Sequence, residues 1–475
     1  MKDQTKETVF DILAFLMGLM VILGRAVPIR ALEKVFFYAV PVDRLFFSGM
    51  TIVLLIRRFI RKKAAYPLSR EFWLFAGMMV FWILWGVAGI FISPYSRIWE
   101  GGAECYFLFR GLTILYCLYE VLDTRRRTDL FLSALRLACA ALILLAIWEA
   151  LSGVHIWASR YPSMPAVVLD GRRWLTGFYQ DNLFLATGIC YNENNFSSIL
   201  AILLPLFFLT KDVPMRKGVL YAIVLMLGVF VLLLNDANID GLALMAGLLA
   251  YILLARGSWG KKAGMLGGFV LLYTKAADWI GRVLLNGKKL LFHGPRAGEL
   301  LARAGLDYPT KKFSLIPSGA SLTGNLRNGV GKAMNSGSGA LMTRIRIYQD
   351  GWDAFIASHG LGLGPDGYYW YFLQDHGQRT GYRNPHNWWL EILSQYGAVV
   401  FVLYLGSLLS LYIKMIRAYR SNRDERFAVV VSMCTAFVIA CVAPSGFIGE
   451  VYQWILPGLC LVLLRQDRAF RAPLS

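Results

Sequence analysis

Runs of about twenty apolar residues recur along this chain, separated by short charged clusters. A helix needs a run of that length, at about 1.5 Å per residue, to cross roughly 30 Å of hydrocarbon. Lipid offers the backbone no hydrogen-bond partner, so a spanning segment must be a helix or part of a closed barrel. The alternation of a barrel strand is absent, which leaves helices. Composition agrees: 57% of the 475 residues are hydrophobic and only 17% are charged. The first run is not followed by a small-residue cleavage site and is expected to stay as a helix rather than leave as a signal peptide.

The pattern predicts an all-α, polytopic helical bundle with about twelve spans. They lie near 8–24, 35–56, 70–92, 103–122, 130–151, 192–210, 217–234, 239–255, 263–280, 388–413, 427–443 and 450–464. With the N-terminus inside, the inside connections carry "IRRFIRKK" (56–63), "DTRRRTD" (123–129), "KDVPMRK" (211–217), "ARGSWGKK" (255–262) and "KMIRAYRSNRDER" (414–426). The short outside connections at 93–102, 235–238 and 444–449 share a single cation, Arg97. This is the positive-inside asymmetry, and it predicts both termini in the cytoplasm. The net charge of +19 is then mostly topological and does not call for nucleic acid. The seven cysteines lie mainly within apolar runs without metal-ligand spacing. No disulfide and no metal are expected, and Cys190 is expected to face outward.

Three parts follow: helices 1–9 over 1–280 with an outer loop near 152–191, an extracytoplasmic loop over 281–387, and helices 10–12 with the cytoplasmic tail over 388–475. The 281–387 loop carries 13 Lys and Arg against 6 Asp and Glu, and four of the five histidines. Long loops escape the positive-inside rule, so the basic excess needs another reason, and an anionic ligand supplies one. The Gly-, Ser- and Asn-rich stretch 316–342 reads as a flap within that loop.

The sharpest seam is "RTGYRNPHNWWLEILSQYGAVVFVLYL" (379–405), a basic loop that turns directly into an apolar helix. His386 stands on it, with Asn387 suited to cap the helix. At the positive end of a helix dipole an imidazole tends to stay neutral, able to take a proton from a hydroxyl. The plain alternative is an interfacial histidine that caps loop carbonyls. Arg344 and Arg346 belong to an expected amphipathic helix with Ile345, Tyr348, Trp352 and Phe355 as its apolar stripe. A guanidinium can grip two phosphate oxygens at once; the alternative is attraction to lipid head groups. Asn192, Glu193 and Asn194 cluster at another helix start, where Asn either caps the helix or bonds sugar hydroxyls. Asp236 and Asp240 mark a further membrane boundary. Asp43 and Arg44 lie within an apolar run, where ionisable groups are functional suspects, though these two can equally pair with each other.

Taken in order, "GICYNENNFSSIL" (188–200), "RIRIYQDGWDAFIASHGLGLGPDGY" (344–368) and "HNWWLEILSQYG" (386–397) make the chain resemble the O-antigen ligase and O-antigen polymerase (Wzy-type) superfamily of bacterial membrane glycosyltransferases, teichuronic-acid polymerase-like proteins included. The matching positions are Gly188, Asn192, Asn194, Arg344, His386, Asn387, Leu390, Glu391 and Gly397. The resemblance implies a GT-C-like bundle in the cytoplasmic membrane with an extracytoplasmic site. It implies an undecaprenyl-pyrophosphate-linked glycan donor, a glycan or lipid-linked acceptor, and no metal or other cofactor. A chain-length regulator or export proteins are conceivable partners. His386 would activate the acceptor hydroxyl and Arg344 would hold the pyrophosphate, with Arg346 beside it. Asn387, Asn192, Asn194, Glu193, Tyr382 and Asp236 would surround the substrates. The family's second phosphate-binding arginine has no counterpart in "NDANIDG" (235–241), so Arg172 and Arg173 are the first substitutes and Arg383 a weaker one. Polymerase and ligase share these features. A lipid-linked oligosaccharide flippase is the reading from another class, and it would want polar residues along the spans.

Overall fold

The computed structural model describes residues 2–29, 40–60, 68–152, 155–156, 158–159, 166–169, 172–175, 185–208, 214–235, 237–254, 259–271, 340–374, 377–444 and 446–471. Helices dominate them. In chain order they are α1 (Lys2–Leu23), α2 (Val42–Ile60), α3 (Arg70–Ile92), α4 (Ile98–Val121), α5 (Arg125–Ser152), α6 (Glu193–Leu203), α7 (Met215–Leu234), α8 (Asn238–Leu254), α9 (Trp259–Leu271), α10 (Ala340–Ala357), α11 (Gly367–Leu373), α12 (Trp388–Asn422), α13 (Glu425–Ala440) and α14 (Tyr452–Arg471). Each of the twelve expected spans overlaps one of these helices, with 35–39, 209–210, 255 and 272–280 outside the described residues. By length and composition, five segments among the described residues are long and apolar enough to cross a membrane: Glu7–Ala26, Arg70–Ile92, Arg125–Leu151, Arg216–Leu234 and Trp388–Asn422. The Gly-rich stretch before Ala340 lies outside the described residues.

The described residues are all-α in class, as expected, with two minor ladders between helices. Two antiparallel ladders occur: β1 (Pro28–Ile29) pairs with β2 (Val40–Pro41), and β3 (Ala166–Leu169) pairs with β4 (Arg172–Leu175). The first delays the second expected span, whose helix begins only at Val42, after extended backbone at Pro41. The sixth is also modified. Helix α6 ends at Leu203 and continues as a 3-10 turn, Leu204–Phe207, because Pro205 lacks the N–H that an α-helix would use.

Helix α3 packs on α4 and α12, α4 on α14, and α8 on α13. Their shared core is aromatic. Trp82 of α3 meets Trp388, Tyr396 and Tyr404 of α12 at ring-centroid distances of 5.9, 5.5 and 5.1 Å, and Trp454 of α14 at 6.3 Å. Such offset and edge contacts each contribute about 0.5–1.5 kcal/mol beyond area burial. Gly111 lets α4 approach this cluster, since a Cβ there would lie 2.6 Å from the Trp454 ring.

Several charges inside the bundle are paired. Asp43 is fully buried and bridges Arg110 of α4, not its neighbour Arg44, because Arg110 is the cation that packing brings into the interior. At the basic end, Lys414 Nζ reaches Glu71 Oε1 at 3.0 Å, Arg468 joins the same carboxylate, and α3, α12 and α14 are tied together. Arg465 Nη2 and Gln466 Nε2 donate to the Leu122 carbonyl at 2.9 and 3.0 Å, satisfying orphan acceptors after α4.

Candidate active site

Helix α13 ends in successive carbonyls at Ala440, Cys441 and Val442, of which Ala440 O is also met by Ala443 N of its own turn at 3.2 Å. Three motif-bearing elements supply the donors. Trp388 N, at the start of α12, donates to Cys441 O at 3.0 Å. Tyr348 Oη of α10 donates to Val442 O at 3.0 Å. Ser198 Oγ of α6 lies 3.1 Å from Ala440 O, 2.9 Å from Asp240 Oδ1 of α8 and 3.0 Å from Asn194 O in its own helix, one proton serving three acceptors. The end of α13 therefore gathers the His386 helix, the Arg344 helix and the Asn192 helix at one end of the bundle.

Asn387 caps α12: its Oδ1 accepts from Trp389 N and Leu390 N at 3.0 and 3.4 Å. Asn192 caps α6 in the same way, accepting from Asn195 N at 2.9 Å. Both side-chain oxygens are thus engaged by backbone donors. Asn194 lies in the first turn of α6 beside Glu193, which is half-buried. His386 sits just before the Asn387 cap with a left-handed φ of +46°, its own N–H bonded to Asn384 Oδ1 at 3.2 Å. Its ring lies edge-on to Tyr382, centroids 4.9 Å apart.

The loop that carries His386 is clamped onto α10. Asp350, fully buried, accepts from Arg379 Nη1 at 2.9 Å, Arg379 N at 3.2 Å and Thr380 Oγ1 at 2.9 Å. Arg379 also reaches Asp353 at 2.6 Å. Gly351 permits the approach, since a Cβ there would stand 3.2 Å from Pro385. The buried face of α10 is therefore Ile347, Asp350, Gly351 and Ala354. This corrects the expected stripe. Ile345 and Trp352 are exposed, because close docking selects the small residues and the clamping carboxylate over the largest apolar side chains.

Arg344 projects toward the α6–α8 side and acts electrostatically on Asp240. Its Nη1 is buried without a hydrogen-bond partner among the described residues. Arg346, two residues on, is exposed. Arg172 and Arg173 open β4, and their side chains lie outside the described residues. Asp236 also lies outside the described residues. Arg383 is bonded to Asp366 at 3.2 Å and lies over the Tyr369 ring at 4.7 Å.

Several polar groups that sequence reasoning had not singled out as site residues converge here. Glu391 Oε2 accepts from Phe447 N at 3.0 Å, joining α12 to the segment before α14. Glu450 bridges Arg25 and accepts from Asn195 Nδ2 at 3.2 Å. Glu149 receives Thr187 N and Gly188 N at 2.8 and 2.7 Å, holding the start of the Gly188 motif. Charged residues beside or within apolar runs were the available signal. Cys190, expected to face outward, is completely buried by this docking.

Beside the His386 loop lies a cavity of about 290 Å³, lined by Glu100, Glu104, Asp366, Tyr368, Arg383, Asn384, Glu391 and Gln395 among others. Burial holds the Asp366 carboxyl above its usual range, with Arg383 opposing the shift.

No family model matches the chain. Among characterised proteins it is similar to the teichuronic acid biosynthesis protein TuaE of Bacillus subtilis (strain 168), 19% identical over 418 residues, which cover 84% of this chain and 74% of that protein.

Proposed function

We propose that the chain is a membrane glycosyltransferase of cell-envelope polysaccharide synthesis. It would polymerise undecaprenyl-pyrophosphate-linked repeat units on the outer face of the cytoplasmic membrane. The observation that carries the reading is Arg344: a buried guanidinium nitrogen without a hydrogen bond, on a helix clamped to the His386 loop. A buried unpaired donor is costly unless a ligand completes it. The pyrophosphate of a lipid donor, held at the bilayer surface, is a suitable ligand. The distant similarity to a teichuronic acid biosynthesis protein favours an envelope polysaccharide as product.

In this reading the acceptor hydroxyl attacks the anomeric carbon as the bond to the pyrophosphate breaks. The pyrophosphate leaves with the bonding electrons, and the hydroxyl proton passes to His386. The leaving group is already good, so alignment and neutralisation of the growing phosphate charge supply most of the help. Arg344 provides the neutralisation; the Asp350 clamp fixes the distance between Arg344 and the histidine loop. Arg25, which faces Glu450 in the same cluster, stands with Arg172, Arg173 and Arg383 as a source of second positive charge. Asp43 and Arg110, within the spans, pair with each other rather than lining a path, which disfavours a flippase.

The test is to incubate detergent-purified protein with a defined polyprenyl-pyrophosphate-linked repeat unit and size the products. A ladder of lengthened glycans is expected. Transfer only to a different acceptor makes the protein a ligase, and translocation in liposomes without glycosidic bond formation overturns the transferase reading.

A further inference from the structure

A groove of about 480 Å³ runs between α3 and α12 and ends among the charges at the basic end of the bundle. Its floor is apolar and buried, at Phe75, Met78 and Leu411. Two glycines keep it open: a Cβ on Gly77 of α3 or on Gly406 of α12 would meet nothing within 4 Å. At about 1.5 Å per residue, the stretch of α12 from Val402 to Lys414 covers about 18 Å, close to half of the roughly 30 Å hydrocarbon thickness. The groove is therefore about one leaflet deep, and Phe81 and Val402 at its deep end are exposed. Its other end is charged. Glu71, only 7% exposed, receives Lys414 Nζ at 3.0 Å and Arg468 on the same oxygen, Oε1. Glu71 Oε2 receives no donor from any other described residue. Two cations thus share one anion, and they are not sealed in: the Lys414 side chain is 37% exposed and that of Arg468 52%. Arg70 and Arg417 are exposed at the same end, and Glu71 is the one acidic side chain lining the groove among the described residues. An excess positive charge stands at the mouth of an apolar channel.

We propose that this groove binds one anionic phospholipid, its phosphate on Lys414 and Arg468 and one acyl chain laid along the channel toward Val402. The proposal needs only that the chain is a membrane protein, and it is independent of the glycosyltransferase reading. A phosphodiester matches the excess charge, and a guanidinium has five donors, of which the Glu71 contact uses Nη2 alone. A head-group hydroxyl can donate to Glu71 Oε2. Ser410, exposed one turn deeper than Lys414, can donate to an ester carbonyl. Any apolar surface is wetted by lipid; here a shaped channel and a placed charge select one molecule. A second copy of the chain is the competing occupant, because Gly406 and Ser410 have the spacing of close helix contacts in membranes. Two copies inserted the same way and related by a two-fold axis across the groove would bring their basic ends together, without the acidic partner those ends need. An anionic lipid supplies it.

The experiment uses the full-length protein in detergent, titrated with phosphatidylglycerol or with phosphatidylcholine of identical acyl chains and read by native mass spectrometry. One phosphatidylglycerol per chain should be retained, with a preference of about fivefold or more over phosphatidylcholine, the scale of one cation at a membrane surface. Gly77→Leu fills the channel and should lower retention by about fivefold or more. Gly49→Leu, on an exposed glycine of α2 with equally empty surroundings, should leave it unchanged. Arg468→Gln keeps the Lys414–Glu71 pair and should remove most of the preference between the two lipids; Lys414→Gln, which keeps Arg468 on Glu71, is the second charge variant. Thermal unfolding checks that each variant is folded, and phosphatidylglycerol should raise the midpoint of the wild type but not of Gly77→Leu. Equal retention of the two lipids, equal effects of the two leucines, or a preference that survives both charge variants overturns the proposal. A dimer that Gly77→Leu disperses, with no retained lipid, gives the groove to a second copy and overturns it as well.

Discussion

His386 holds a left-handed backbone conformation that costs a non-glycine residue roughly 1–2 kcal/mol, and a helix start with an ordinary cap does not require it. The loop keeps it because Asp350 takes three donors from Arg379 and Thr380 and Asn384 takes the His386 N–H. Such over-determination is typical where strain serves a site. If His386 accepts the hydroxyl proton, His386→Ala and His386→Gln should stay folded and inserted while turnover falls by about 10²- to 10⁴-fold. An alanine variant with normal turnover per folded molecule and a lowered unfolding midpoint would falsify the catalytic role. Arg344→Lys separates two kinds of positive charge. A bidentate phosphate contact needs the guanidinium fork, whereas attraction to lipid head groups needs only charge. Donor binding measured in nanodiscs should weaken in the lysine variant by about tenfold or more, roughly one good hydrogen bond to a charged group; unchanged affinity would return Arg344 to the lipid surface.

Helix α12 is broken at Gly397, and the break is what lets the Gly-rich turn after α10 reach the bundle. Gly397 has φ +80° and ψ 178°, a region almost closed to other residues. The interruption frees carbonyls at Ser394 and Gln395. Leu363 N and Gly364 N bond them at 2.8 and 2.9 Å, while Gly360 O accepts from Ala398 N at 2.9 Å. Helix α10 is thereby fixed at its C-terminal end to α12 by this turn, and along its length to the loop before α12 by the Asp350 clamp. A Cβ on Gly397 would meet the Leu361 carbonyl carbon at 2.4 Å. Gly397→Ala should therefore lower the thermal-unfolding midpoint, by strain of at least about 1–3 kcal/mol, and reduce turnover with it. Gly406, in the same helix with nothing within 4 Å, is the control: Gly406→Ala should be neutral or stabilising by up to about 1 kcal/mol. Equal effects at the two glycines would mean that the break is not a structural requirement.

Across the whole molecule, the ends of the bundle differ in kind. One end binds its basic residues into ties such as Lys414–Glu71–Arg468; the other concentrates carboxylates, the His386 loop and the cavity. We propose, from the cation asymmetry of the connections, that the first end faces the cytoplasm. A cysteine at Gln374, exposed at the end of α11, should react in intact cells with a membrane-impermeant maleimide, and one at Ser421, exposed near the end of α12, should react only after permeabilisation. The native cysteines offer little background, since six are buried and Cys434 is half-buried. The reverse labelling pattern would invert the topology and remove the candidate site from the outer face, where the proposed polymerisation takes place.

Hydropathy alone carried the helices, because an apolar run in lipid has few ways to satisfy its backbone, and that constraint is local. Helix starts at Asn192 and Asn387 were equally legible, since a cap bonds residues two or three positions away. The order of the Asn192, Arg344 and His386 motifs was also written in the chain. Which charges meet was not. Arg25 and Glu450 are 425 positions apart, and Tyr396 and Glu104 are 292 apart. Asp43 chose Arg110 over the adjacent Arg44 because burial, not adjacency, decides where a charge must be paired. The same holds for α10, whose packed face was set by the approach of Pro385 and Arg379 rather than by its own apolar stripe. Pattern determines which residues avoid water; only the packing of distant helices determines which buried polar groups the protein completes and which, like Arg344 Nη1 among the described residues, it does not.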